Sequence, residues 1–129
     1  TITAHFRDTG LSPGHYDLIV TGDLASVGLP IAKTLLAKEG IPMEQTTFDD
    51  CGLLIYDLEK QKYVIAGGSG CGCSAVVTYG HILKRIKKGE LKRVLIVATG
   101  ALLSPLSYQQ GESIPCVAHA VAIESGGGV

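Results

Sequence analysis

Ala66-Gly67-Gly68-Ser69-Gly70-Cys71-Gly72-Cys73-Ser74 puts four glycines into six consecutive positions. It follows the apolar run Tyr63-Val64-Ile65-Ala66 and precedes a stretch from Ser74 to Lys88. In that stretch apolar residues recur at 75, 76, 79, 82, 83 and 86, and Gly89 closes the pattern. Those spacings predict a helix, so the glycine-rich segment reads as a strand-to-helix junction. In an α/β fold such a junction is where a ligand or a reacting group is expected. Glycine there lets another molecule approach the backbone closely.

Working outward, Asp17-Leu18-Ile19-Val20-Thr21 predicts a short buried strand ended by Gly22-Asp23. A helix is expected from Gly28 or Pro30 to Glu39, because proline is tolerated in a first turn. Gly40 then serves as its C′ residue and Pro42 blocks resumption. The segment Phe48 to Tyr56, with Leu53-Leu54-Ile55-Tyr56, predicts a second strand. Across the polar turn Asp57 to Lys62 it forms an expected hairpin with Tyr63 to Ala66. Arg93 to Thr99 suits a central strand, Gly100 to Gly111 a long loop, and Pro115 to Glu124 a final strand. The expected order is β-α-β-β-α-β-β, an α/β fold with a mixed sheet and helices. Residues 1–16 read as a helix end and a loop, and 125–129 as a disordered tail.

The 129 residues are 46% hydrophobic and 18% charged, with a net charge of −1. That balance argues against non-specific nucleic-acid binding, which needs many phosphate contacts. The basic cluster Lys84, Arg85, Lys87, Lys88, Lys92 and Arg93 reads first as a solvated helix end. No apolar run approaches the roughly 20 residues that cross a bilayer. Arg7, Asp8 and His15 interrupt any leader-like apolar region. Four scattered cysteines (51, 71, 73, 116) do not make a disulfide framework, and reduced thiols are expected.

Gly70 to Ala75 fits the relaxed dinucleotide pattern G-x-G-x-x-A. The expected hairpin arm before it and the missing acidic residue after Val94 to Thr99 count against that reading. A tight turn, or backbone N–H groups binding a carboxylate or phosphate, fits equally. Cys71 and Cys73 have no partner pair for zinc. Cys73 near a helix start is either a packing residue or a thiol of lowered pKa. His5, His15, His81 and His119 are scattered. Asp49-Asp50 reads as a turn cap rather than a cation site, since adjacent extended residues face opposite ways.

Four stretches carry a family resemblance: Val20-Thr21-Gly22-Asp23-Leu24; Asp57-Leu58-Glu59-Lys60; Ala66 through Gly80; and Ala98 through Cys116. On these the chain, from about Asp17 to Glu124, resembles the C-terminal half of the stage V sporulation protein AD family. These are thiolase-like proteins of spore-forming Firmicutes. The resemblance implies a thiolase-like half-domain over 17–124 that packs on a similar N-terminal half, with the fold of ketoacyl-synthase III enzymes. It also implies binding of dipicolinic acid, alone or with calcium, for uptake into the spore. Partners would be other proteins of that transport assembly, at the periphery of the spore inner membrane. Condensing enzymes of this superfamily place a histidine and an asparagine where this chain has Gly22 and Ser69. A non-catalytic binder is therefore expected, since each lost oxyanion donor costs about 2.7–4 kcal/mol. The expected ligand site is Thr21, Gly22 and Asp23 facing Gly68, Ser69, Gly70, Cys71, Gly72, Cys73 and Ser74. No resident metal or cofactor is expected; Asp23 is either a calcium ligand, if calcium travels with the ligand, or a cap of the following helix. Two alternatives remain: an acyltransferase or condensing enzyme using His119 or Cys116, and a structural docking half-domain.

Overall fold

Leu18–Thr21 is apolar up to its last residue and forms β1, buried along its whole length. The computed structural model describes residues 1–67, 72–102 and 104–126. β1 is an inner strand of a four-stranded sheet with β2 (Thr47–Asp50), β3 (Arg93–Val97) and β4 (Ala120–Glu124), in the order β2-β1-β3-β4. β1 runs parallel to both β2 and β3, and β4 is antiparallel to β3. The expected α/β class and mixed sheet are therefore present.

Strand alternation splits the core into two. Ile19, Phe48, Leu95 and Val97 face α1 (Ile2–Thr9) and α2 (Ala25–Lys38), packing with Phe6, Leu29 and Leu36. Leu18, Val20, Val94 and Ile96 face the other side. There they meet Cys51 of α3 (Cys51–Ile55) and Cys73 and Val77 of α4 (Gly72–Val77), and Ile82 of the following π segment, Thr78–Ile82. α5 (Leu83–Lys87) continues that helix, and Gly89 (φ 74°) ends it. The helix expected from Ser74 to Lys88 is thus nearly continuous, with one widened turn.

Several elements differ from the sequence expectation; the final strand, expected over Pro115 to Glu124, covers only Ala120–Glu124. Leu53-Leu54-Ile55 is helical, because the Asp50 carboxylate caps the N–H of Gly52 and turns the chain at once into α3. Tyr63 to Ala66 is not a strand: Tyr63 and Ile65 are 80% and 93% exposed, and hydrogen bonds from Gln61 N to Asp57 O and from Val64 N to Gln61 O curl the segment into turns. The order β-α-β-β-α-β-β therefore loses its hairpin arm. α2 begins at Ala25, so Pro30 is its sixth residue rather than its opening one. Within Gly100 to Gly111 a short helix, α6 (Pro105–Gln109), is capped by Ser104.

Asp17 fixes the register of β1 against β3. Its Oδ2 accepts the N–H groups of Lys92 (2.6 Å) and Arg93 (2.9 Å). The Arg93 and Lys92 backbone bonds hold its carboxyl below the ordinary value of 3.8. A depressed folded pKa contributes stability above the unfolded pKa, and that contribution is lost as pH falls through the folded one. Asp17→Asn is expected to lower stability by about 1 kcal/mol at neutral pH. In urea unfolding the gap between variant and parent closes by about pH 2; a gap independent of pH would refute the assignment.

Candidate functional site

The C-terminal ends of β1 and β3 lie side by side, and from them the chain leads off in opposite directions, to β2 on one side and to β4 on the other. That is the usual ligand crevice of an open α/β sheet. Its geometry is set by Asp50, which is fully buried. Oδ2 accepts the Thr21 hydroxyl (2.6 Å) and Leu24 N (2.7 Å), while Oδ1 accepts Ala25 N and Gly52 N (both 2.9 Å). One carboxylate therefore joins the end of β1 to the first turns of α2 and α3, where the helix dipoles favour negative charge. The turn-cap reading of Asp49-Asp50 is correct for Asp50, but its reach to Thr21 and α2 is tertiary. It also holds Ala25 at φ 55°, a strained value for alanine.

On the α3 side, Asp23 Oδ1 and Asp50 Oδ1 crowd the place a Cβ on Gly52 would occupy. Gly67 (φ 101°) packs on Ala25 and Asp23: a Cβ there would lie 2.7 Å from Ala25 Cβ and 3.6 Å from Asp23 Oδ1. Ser26 N donates to Ala66 O at 3.0 Å. The glycine-rich segment thus starts against the end of β1. Asp23 Oδ1 is buried and has no hydrogen-bond partner among the described residues.

On the α1/α2 side lies an open cleft of about 520 Å³. Thr21, Leu24, Leu35, Val97 to Ala101 and Cys116 are among its lining residues, and none of the lining residues is basic. Among the described residues, the backbone N–H groups of Gly100 and Ala101 make no hydrogen bond. Gly22 seals the floor between the two sides. A Cβ on Gly22 would stand 2.5 Å from Thr99 N and 2.8 Å from Thr99 Oγ1, so no side chain fits without moving the end of β3.

Of the expected site residues, Thr21, Gly22 and Asp23 come together, but they divide their attention. Thr21 borders the cleft and is bonded to Asp50, Gly22 abuts Thr99, and Asp23 faces Gly52 and Gly67. Gly72 is exposed, Ser74 half-buried and Cys73 fully buried in the core. Gly68, Ser69, Gly70 and Cys71 lie outside the described residues. Sequence reasoning read Thr99 as the end of the strand and Gly100 and Ala101 as plain loop, whereas β3 ends at Val97; the available signal was a small-residue run directly after a buried strand.

The cysteines divide by burial. The Cys51 thiol is pushed up to about 12, first by burial and then by the proximity of Cys73 and Asp50. It is neutral at physiological pH and no nucleophile. Cys116 is exposed at the cleft.

The family model described as stage V sporulation protein AD (SpoVAD) matches residues 1–124. The chain belongs to the stage V sporulation protein AD family. A curated relative, stage V sporulation protein AD of Bacillus subtilis (strain 168), is 56% identical over 128 residues. That match takes in 99% of this chain but 37% of the relative, so the chain spans little more than a third of the relative's length. Membership supports a role in sporulation. The match includes α1, whose Phe6 packs in the core. Among the described residues no helix is long and apolar enough to cross a membrane.

Asp50→Ala would strand three N–H groups and leave the Thr21 hydroxyl only its longer bond to Asp49 O (3.3 Å), and is expected to cost at least about 3 kcal/mol in chemical unfolding. A loss under about 1 kcal/mol would show that the carboxylate is not the joint described. With iodoacetamide at about pH 8, mass spectrometry should find Cys116 alkylated in the native protein. Cys51 should react only after unfolding; rapid native labelling of Cys51 contradicts its raised pKa.

Proposed function

We propose that this chain is a non-catalytic, thiolase-like half-domain that binds dipicolinate, as its calcium chelate, for uptake into the spore. The observation that carries the reading is Gly22. The family resemblance puts a catalytic histidine at that position, and here even a methyl group meets Thr99 N at 2.5 Å. The superfamily's oxyanion chemistry has no seat on this side. Cys51, with its pKa near 12, offers no nucleophile in its place.

The cleft suits a flat ligand with two carboxylates. Its volume of about 520 Å³ falls within the roughly 300–1,000 Å³ of small-molecule sites. The unbonded N–H groups of Gly100 and Ala101 and the Thr99 hydroxyl supply donors for one carboxylate. Among the described residues no basic side chain lines it, so against this chain a free dianion would enter with its charge unmatched, at a steep cost in desolvation. A calcium chelate carries no net charge and avoids that cost. Calcium takes six to eight oxygens. Among the described residues Asp23 has one unpartnered buried oxygen, and Asp50 is occupied by four donors. Dipicolinate itself offers three donors, one oxygen from each carboxylate and the ring nitrogen, so the remaining ligands in this reading are water or groups from the rest of the full-length polypeptide.

The docking alternative is compatible. Val76 and Tyr79 stand 58% and 73% exposed on the outer side of α4 and the π segment. The proposed cover is the remainder of a family polypeptide, given that the chain matches 37% of its relative. The proposed location is the periphery of the spore's inner membrane, beside the transport assembly.

Calorimetric titration of the full-length protein with dipicolinate should show binding that tightens when calcium is added. Ala101→Trp, at an exposed position on the cleft, should weaken it at least about tenfold, or 1.4 kcal/mol. Unchanged affinity in Ala101→Trp with a loss in Ser69→Trp would move the ligand to the glycine-rich side. Cleavage of an acyl-CoA by the protein, lost in Cys116→Ala, would instead favour the acyltransferase reading.

A further inference from the structure

Between residues 84 and 93 lie six of the chain's 11 Lys and Arg but one of its 12 Asp and Glu. The structure separates the paired charges from the unpaired ones. Arg85 is bonded to Glu90 (3.1 Å), and Arg93 reaches His15 Nδ1 (3.3 Å). The carboxylate of Asp17 is committed to backbone N–H groups, and that of Glu124 lies 3.5 Å from His15. Lys84, Lys87, Lys88 and Lys92 are exposed, and among the described residues they enter no ion pair. The turn that carries them is firmly built: Lys88 N bonds Lys84 O, Gly89 N bonds Ile86 O, and Glu90 N bonds Arg85 O. Lys92 is held next to it by the Asp17 bond and by Ser125 N on its carbonyl.

We propose that these four lysines seat the protein on an anionic lipid surface. The inference rests on the peripheral location proposed above and names the surface responsible. Their form favours a bilayer over an acidic protein. None of the four lines the cleft or the smaller hollows beside Phe48 and Tyr63. Lysine is a point charge on a flexible stem, suited to diffuse negative charge, whereas arginine suits fixed bidentate partners. Clustered cations near a helix end are the usual electrostatic signature of anionic headgroup binding. The placement is also functional. The patch lies where β3 begins and the cleft where β1 and β3 end, about 15 Å apart at strand spacing. A protein seated by its lysines keeps the cleft open to the aqueous side.

The test is sedimentation of the full-length protein with phosphatidylcholine vesicles, with and without phosphatidylglycerol. Binding is expected only with the anionic lipid and should fall steeply with salt. Each of Lys84→Gln, Lys87→Gln, Lys88→Gln and Lys92→Gln should weaken it about fivefold, and the exposed Lys38→Gln should not. The combined variant should still titrate dipicolinate normally, which separates loss of the patch from loss of the fold or of the ligand site. Equal binding to neutral vesicles, or anionic binding that survives the combined variant, overturns the patch while leaving the peripheral location standing. No binding to either vesicle overturns the patch and leaves the peripheral location to protein contacts with the assembly, without touching the dipicolinate reading.

Discussion

A single buried carboxylate holds the functional end of this domain together. Asp50 at the end of β2 gathers the hydroxyl of Thr21 and the backbone of Leu24, Ala25 and Gly52. A buried anion is costly unless its lone pairs are met. Here four donors meet it, two of them at the opening of α2 and one at that of α3. The three elements that frame the end of β1 therefore cannot move independently. Gly22 is pinned against Thr99, and Gly67 against Ala25.

This joint gives the end of β1 two faces of different chemistry. On the α3 side, Asp23, Gly52 and Gly67 are so close that glycine is required at two of the three positions. On the α1/α2 side the strand ends stand apart, and the space is walled by small and apolar residues with backbone N–H groups at its edge. The first face is built for close packing and the second for an occupant.

The charge distribution follows the same polarity. The buried carboxylate of Asp50 lies at the cleft end of the sheet, and the exposed lysines that enter no ion pair among the described residues lie where β3 begins. Under the proposed function, such an arrangement would separate attachment from ligand exchange by the length of the sheet.

The sequence alone determined the elements whose signal is local. Leu18–Thr21 and Arg93–Val97 are runs with no polar interruption before their ends, so they lie as inner strands whatever surrounds them. The spacing from 75 to 86 and Gly89 as a stop fixed the long helix. The absence of a side chain at Gly22 was equally legible. What needed the tertiary structure was every choice between near-equal local states. Leu53-Leu54-Ile55 fits a strand or a helix, and the Asp50 cap decided for helix. Tyr63 to Ala66 had the composition of a strand but no neighbour to pair with. Pro30 predicts a helix start from its missing N–H, yet α2 begins a turn earlier. Its first N–H groups find acceptors far away in the chain, Asp50 for Leu24 and Ala25 and the Ala66 carbonyl for Ser26. Local propensity is worth tenths of a kcal/mol per residue to about 3 for proline. Leaving several buried N–H groups without acceptors costs more, so the long-range partners set the boundaries and with them the cleft.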